Sequence, residues 1–216
     1  MIECIKKGRF LENLPFLYLH NKNDPMSTAR SHKSHYTFEE YIALEKAQGI
    51  RYEFDNGEIY AMAGATKRHN TIVQNITFAL RPFARKNGCQ TFSENVKQKL
   101  QDGERYVYPD VIYTCDSEDL ADDSDVIVSS PCLLIEVLSD STEDSDKMEK
   151  RQHYFKLPSL QCYLLVAQQS CIIEVYQRAN DFWKFQSHTA LNAQIYLEAL
   201  DVRLSVADIY EGVMFS

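Results

Sequence analysis

The chain has 216 residues, with 23 Lys and Arg against 31 Asp and Glu for a formal charge of −8. One domain suits that length, and 44% hydrophobic with 25% charged residues is a globular composition. Wholesale disorder, collagen-like repeats and an overall basic coat for nucleic acid are thereby excluded. A nuclease is not, because catalytic carboxylates add negative charge themselves. No two of the six cysteines have the spacing of a zinc ribbon or a thioredoxin-like motif. Cys132, Cys162 and Cys171 sit in apolar runs and read as small hydrophobes. The start has no apolar signal region, and no uncharged stretch reaches the roughly 20 residues that span a bilayer. A soluble, reduced, cytoplasmic protein is expected.

Residues 1–33 carry little periodicity and end in a polar stretch, so they read as an N-terminal extension. Met26 opens a shorter start, and an upstream start codon explains the extension as well as a structural element does. The domain is expected over 34–216. Thr37 followed by Glu40 is a capping box for a short helix closed by Gly49. Asp55-Asn56-Gly57 between two alternating runs predicts a hairpin. Apolar residues from Ile72 to Phe83 predict a helix over 67–86, kinked or broken at Pro82 and stopped at Asn87-Gly88. Strands are expected in CQTF, ENVKQKL and RYVYPDVIYTC, with a turn at Asp102-Gly103, and then an acidic loop, SEDLADDSD. The apolar strand CLLIEVL, a helix over 142–157, the strands CYLLVA and CIIEVY and an aromatic arm, DFWKFQ, complete the order. This is a mixed α/β (α+β) domain built on one sheet.

Glu136 is the most informative residue. It interrupts an otherwise wholly apolar run, where an ionised carboxylate costs several kcal/mol unless paired, hydrogen-bonded or bound to a cation. Asp110 follows Pro109 and precedes a β-branched run, as at a strand edge or bulge. Alone it reads as a turn carboxylate. Two neighbouring strands that each present an acid can instead converge on Mg²⁺, which needs only one or two carboxylates and keeps several waters. Downstream, Lys147, Lys150, Arg151 and Tyr154 share one helical face, which could return a cation toward Glu136. A solvated face with an Asp146–Lys150 pair explains the same spacing.

These residues carry a resemblance. Pro109-Asp110, then Glu136 in IEVLSDST, then Asp146, Lys150 and Tyr154, resemble the bacterial restriction-endonuclease family called Uma-two, within the PD-(D/E)xK nuclease superfamily. YTFEEY at 36–41, RYEFDNGEIYAM at 51–62, His69 heading a helix, and CYLLVA extend the match over about 36–210. The resemblance implies a restriction-endonuclease-like core, a mixed central sheet flanked by helices, and Mg²⁺- or Mn²⁺-dependent cleavage of phosphodiester bonds. Asp110 and Glu136 match the metal-binding acids. Where the superfamily has a Lys two residues after that Glu, this chain has Leu138, and Lys150 matches the family's Lys on the following helix. Glu53, Glu58 and His69 match positions near the site. His69 reads as an acid/base group or as a capping residue. Asp140 and Pro158-Ser159 depart from the family pattern.

The expected partner is nucleic acid, DNA first, with no membrane and with a homodimer left open. Arg81, Arg85, Lys86, Lys97 and Lys99 could form a phosphate-holding rim, although an ordinary solvated surface is the favoured reading. The alternative from another class is a catalytically decayed nuclease scaffold that binds nucleic acid or protein.

Overall fold

The computed structural model describes residues 35–100, 103–138 and 150–215. The N-terminal extension, Asp102, Asp140, Asp146, Lys147 and the first half of the helix expected over 142–157 lie outside the described residues.

Local signals act where the sequence places them. Thr37 and Glu40 each accept the other's backbone N–H, so α1 (Phe38–Gln48) starts on the capping box, and it ends on Gly49 at φ 66°. Asn56-Gly57, both at positive φ, turns β1 (Tyr52–Asp55) into β2 (Glu58–Ala61). The next helix, α2, runs Lys67–Asn87 without a break at Pro82. That corrects the expected interruption: Pro82 is exposed, and the Phe78 carbonyl it cannot serve belongs to a residue on the solvent side.

Among the described residues three sheets form rather than one: two large enough to build the domain, and a two-stranded hairpin. The smaller of the first two has five strands in the order β2, β1, β5 (Arg105–Val107), β4 (Lys97–Leu100) and β7 (Ile127–Val128). In the larger the order is β11 (Phe182–His188), β10 (Ile173–Ala179), β9 (Cys162–Ala167), β8 (Leu133–Leu138), β6 (Val111–Thr114) and β3 (Gln90–Ser93). RYVYPDVIYTC is therefore two strands in two sheets. Pro109 offers no N–H to a ladder, so the chain leaves the small sheet after Val107 and enters the large one at Val111. Asp110 sits at that crossing.

The large sheet is covered on both faces, which is why LLIEVL is buried throughout. Leu133, Ile135 and Val137 face a core shared with Ile72, Ile76 and Leu80 of α2, the hairpin β12 (Gln194–Leu197) and β13 (Val202–Ser205), and α4 (Val206–Ile209). Leu134 and Leu138 face a second core, with Val107 and Leu100 of the small sheet and with Tyr154 of α3 (Arg151–Tyr154). Alternation puts Glu136 on this second face. No described helix is long and apolar enough to cross a membrane.

The expectation of reduced cysteines is also corrected: Cys89 and Cys115 form a disulfide. Gln90 pairs with Thr114, so one further step of the antiparallel register sets Cys89 opposite Cys115, with Cα atoms 4.2 Å apart. Cys132 and Cys162 remain thiols, and burial pushes them up to about 11 and about 12.

Candidate active site

The site assembles where the two sheets meet. In β1, Tyr52 and Phe54 turn into an aromatic core with Tyr41 and Tyr106, so the strand's alternation sends Glu53 to the other side. In the large sheet β6 pairs with β8 as far as Val111 opposite Ile135, and the next step of that register sets Asp110 opposite Glu136. Beyond the last ladder pair, the Val137 N–H is taken by Asp110 Oδ2 at 2.7 Å, so a side chain replaces the missing strand acceptor.

The other Asp110 oxygen lies 3.1 Å from His69 Nε2 on the first turn of α2. Burial is the strongest influence on His69 and would lower its pKa. The hydrogen bond and charge of Asp110, together with the charge of Glu94, outweigh burial and raise it. The other ring nitrogen, Nδ1, is buried with no hydrogen-bond partner. A chain of side chains fixes this helix start. Thr66 caps α2 by accepting the His69 N–H and donates its hydroxyl to Gln168, and Gln168 donates to the Leu138 carbonyl at the end of β8.

Glu136 has a side chain only 5% exposed, and two donors converge on its Oε1. The Tyr154 hydroxyl donates at 2.7 Å, and Lys150 Nζ stands at 3.7 Å. Burial above all, and then the Glu136 charge, holds the Tyr154 phenol well above its ordinary pKa, so it stays a donor. Lys150 Nζ is also 3.0 Å from Glu53 Oε1. One ammonium thus bridges an acid of each sheet.

Five of the residues singled out in the sequence therefore form two contact groups on facing strands: Glu53, Lys150 and Glu136 in one, and His69 with Asp110, which also takes the Val137 N–H, in the other. Others join neither. Glu58 is exposed and takes the Tyr60 hydroxyl. Arg151 leaves the shared helical face to donate to the Tyr176 hydroxyl. Leu138 is packed in the second core, so no cation could serve from there without opening it. Lys97 is neither rim nor solvated surface: it is buried and paired with Glu45 at 2.8 Å. Arg81, Arg85 and Lys86 are exposed on α2, and Lys99 is half-buried.

Three participants went unassigned in the sequence. Tyr154 was signalled by its spacing of four from Lys150. Glu94, at φ 57°, accepts from Asn70 and faces the start of α2, and Gln168 ties three elements together. Neither has a local signal, because both act across long sequence separations.

The donors suit a hard cation. Among the described residues no group of three or more His, Cys, Asp or Glu forms a ready-made metal cage. Asp110 and Glu136 instead offer two carboxylates on facing strands. An octahedral Mg²⁺ ion requires no more protein than that, its other positions being filled by water and substrate phosphate.

The Uma2 family model, described as "Putative restriction endonuclease", matches residues 38–207. An uncharacterized Synechocystis protein, slr1290, is 33% identical over 178 residues, covering 82% of this chain and 92% of the relative. A second, sll1609, is 32% identical over 160 residues, covering 74% and 90%. Among solved structures, one titled as a putative nuclease from Anabaena variabilis superposes with a TM-score of 0.59 at 15% identity, covering 76% of this chain and 91% of that one. At that identity the likeness is one of fold.

Proposed function

Since the chain belongs to the Uma2 family of restriction-endonuclease-like proteins, we propose that it is a Mg²⁺-dependent endonuclease hydrolysing phosphodiester bonds of DNA. The observation that carries this reading is the meeting of Asp110 and Glu136 on facing strands with Lys150 bridging Glu136 to Glu53. An apolar strand holding one acid, a strand break presenting a second, and a cation brought back from the following helix are costly to bury for packing alone. Their positions are those the family resemblance assigns to catalysis.

Asp110 and Glu136 would hold Mg²⁺ or Mn²⁺, which when bound polarises the phosphoryl oxygen and acidifies a coordinated water. The chain's own groups do the rest. Tyr154 locks the Glu136 rotamer through Oε1. His69 holds Asp110 from the other side and, with its pKa raised, favours the imidazolium that donates to it. Lys150, anchored by Glu53, places a positive charge beside the acids, where it neutralises charge developing on phosphate. The Lys normally expected at position 138 is thus replaced in function by one reaching in from the next helix.

Cleavage of plasmid and of single- and double-stranded oligonucleotides, with Mg²⁺ or Mn²⁺ against chelator, tests the proposal. Metal-dependent cleavage by the wild type, abolished in Glu136→Gln with the fold as stable or more so, is the expected result. No cleavage of any nucleic acid, or cleavage that survives Glu136→Gln, overturns it. Nucleic-acid binding without metal-dependent cleavage would instead support a decayed scaffold.

A further inference from the structure

We propose that the chain forms a two-fold dimer by antiparallel pairing of β11 with β11 of a second copy, joining the two large sheets into one. The inference is independent of the catalytic reading. Among the described residues β11 has a strand partner on one side only, pairing with β10 along its whole length from Ile173–His188 to Ala179–Phe182. Along its seven residues, the backbone donors and acceptors of every second residue point away from β10 to the free edge. The remaining described sheet edges are shorter: four residues each in β3, β2, β12 and β13, two in β7.

The side chains say what covers that row. Phe182 is 58% exposed and Phe185 is 56% exposed, and by alternation they project from opposite faces of the strand. Phe185 rests on Tyr176, and Trp183 beside it stacks on Phe155 at 4.1 Å. An apolar surface therefore reaches the edge on the Phe185 face, as it does where a sheet continues, and Phe182 adds an apolar end to the other face. An edge Lys usually blocks such pairing, but Lys184 turns to Glu198 at 3.6 Å. The strand is also self-complementary. A two-fold axis near Phe185 sets that ring beside its mate and Lys184 opposite Gln186, with no like charges facing each other.

Sedimentation or light scattering over a concentration series, combined with amide exchange, tests this on the full chain. The wild type is expected at twice the 25.0 kDa chain mass, with the β11 amides that point away from β10 protected at high concentration and exposed on dilution. Phe185→Lys and Phe182→Lys place a charge at already exposed positions, so the subunit folds, and each should weaken the dimer about tenfold or more. A wild type at the monomer mass throughout overturns the proposal. A dimer indifferent to both variants overturns it too, as does protection, in a monomer, of the β11 amides that point away from β10.

Discussion

Two lysines in this molecule, one buried and one largely so, do opposite things with the same chemistry. Lys97 meets a single carboxylate, Glu45, at 2.8 Å, and Glu45 also takes the Tyr108 hydroxyl and the Tyr52 N–H. Tyr41 and Tyr108 rings lie 5.6 and 5.0 Å from the ammonium. Charge there is balanced one to one, hydrogen bonds saturate the acid, and nothing is left for a ligand. Lys150 is shared between Glu53 and Glu136, with the Asp110–His69 pair on the facing strand. Among the described residues, three carboxylates stand here against one lysine and one histidine, an excess of negative charge. Burying an ion pair is compatible with either role. The count of charges, not the burial, separates a structural pair from a site that would accept a cation.

The largest effect expected is at the balanced pair. Lys97→Met strands the Glu45 charge in the small-sheet core and should cost about 3–5 kcal/mol of stability, read by chemical denaturation. Turnover per folded molecule should be unchanged. A loss of cleavage without loss of stability would erase the distinction between the two lysines.

Lys150→Ala inverts the pattern. Losing one preorganised charge should lower turnover by about 10²–10³-fold, while metal binding tightens, because an ammonium is not a ligand and repels the incoming cation. Glu53 and Glu136 then lack their shared cation, so Mg²⁺ should raise the Tm of this variant more than that of the wild type. No such rescue is expected in Lys97→Met, whose acid is enclosed by aromatic rings. Equal rescue in both variants would mean that the second cluster is not the one short of positive charge.

Tyr154→Phe is a smaller cut. It removes one hydrogen bond to a buried carboxylate and should cost about 1.5–3 kcal/mol of stability. It should also loosen metal binding, since Glu136 loses the donor that fixes its rotamer. Unaltered metal affinity on calorimetry would leave Tyr154 as packing alone.

What the sequence made legible was local. The Thr37–Glu40 box, the Asn56-Gly57 turn and an acid inside LLIEVL each declare themselves within a few residues, and the structure places all three accordingly. Lys150 and Tyr154 were readable as one helical face. That Arg151 on the same face would go to Tyr176 was not, because β10 arrives only two dozen residues later. The split at Pro109, the Cys89–Cys115 bond, the β12–β13 hairpin and the burial of Lys97 share that cause. Each depends on which distant segment becomes a neighbour, and residue type does not encode that. Lys97 and Lys99 look alike in KQKL, yet only the first meets Glu45.

The smallest effect concerns His69, and its sign is fixed by the direction of its shift. In the folded chain its pKa is raised above the ordinary value of about 6.5, because Asp110 and Glu94 outweigh the opposing effect of burial. A raised folded value means that the native state holds this proton more tightly than the unfolded chain does. The resulting stability is fully present below the unfolded pKa and is lost as pH rises through the folded one. Denaturation of the metal-free protein from pH 5.5 upward, beside His69→Gln, isolates the contribution, because glutamine can still donate to Asp110 but does not titrate there. The stability difference between wild type and variant should be greatest at the acid end of the series and shrink toward alkaline pH. A difference that grows with pH would mean that burial wins at His69 and that Asp110 is held by a neutral ring. The imbalance of charge that sets this cluster apart from the Lys97 pair would then be larger by one.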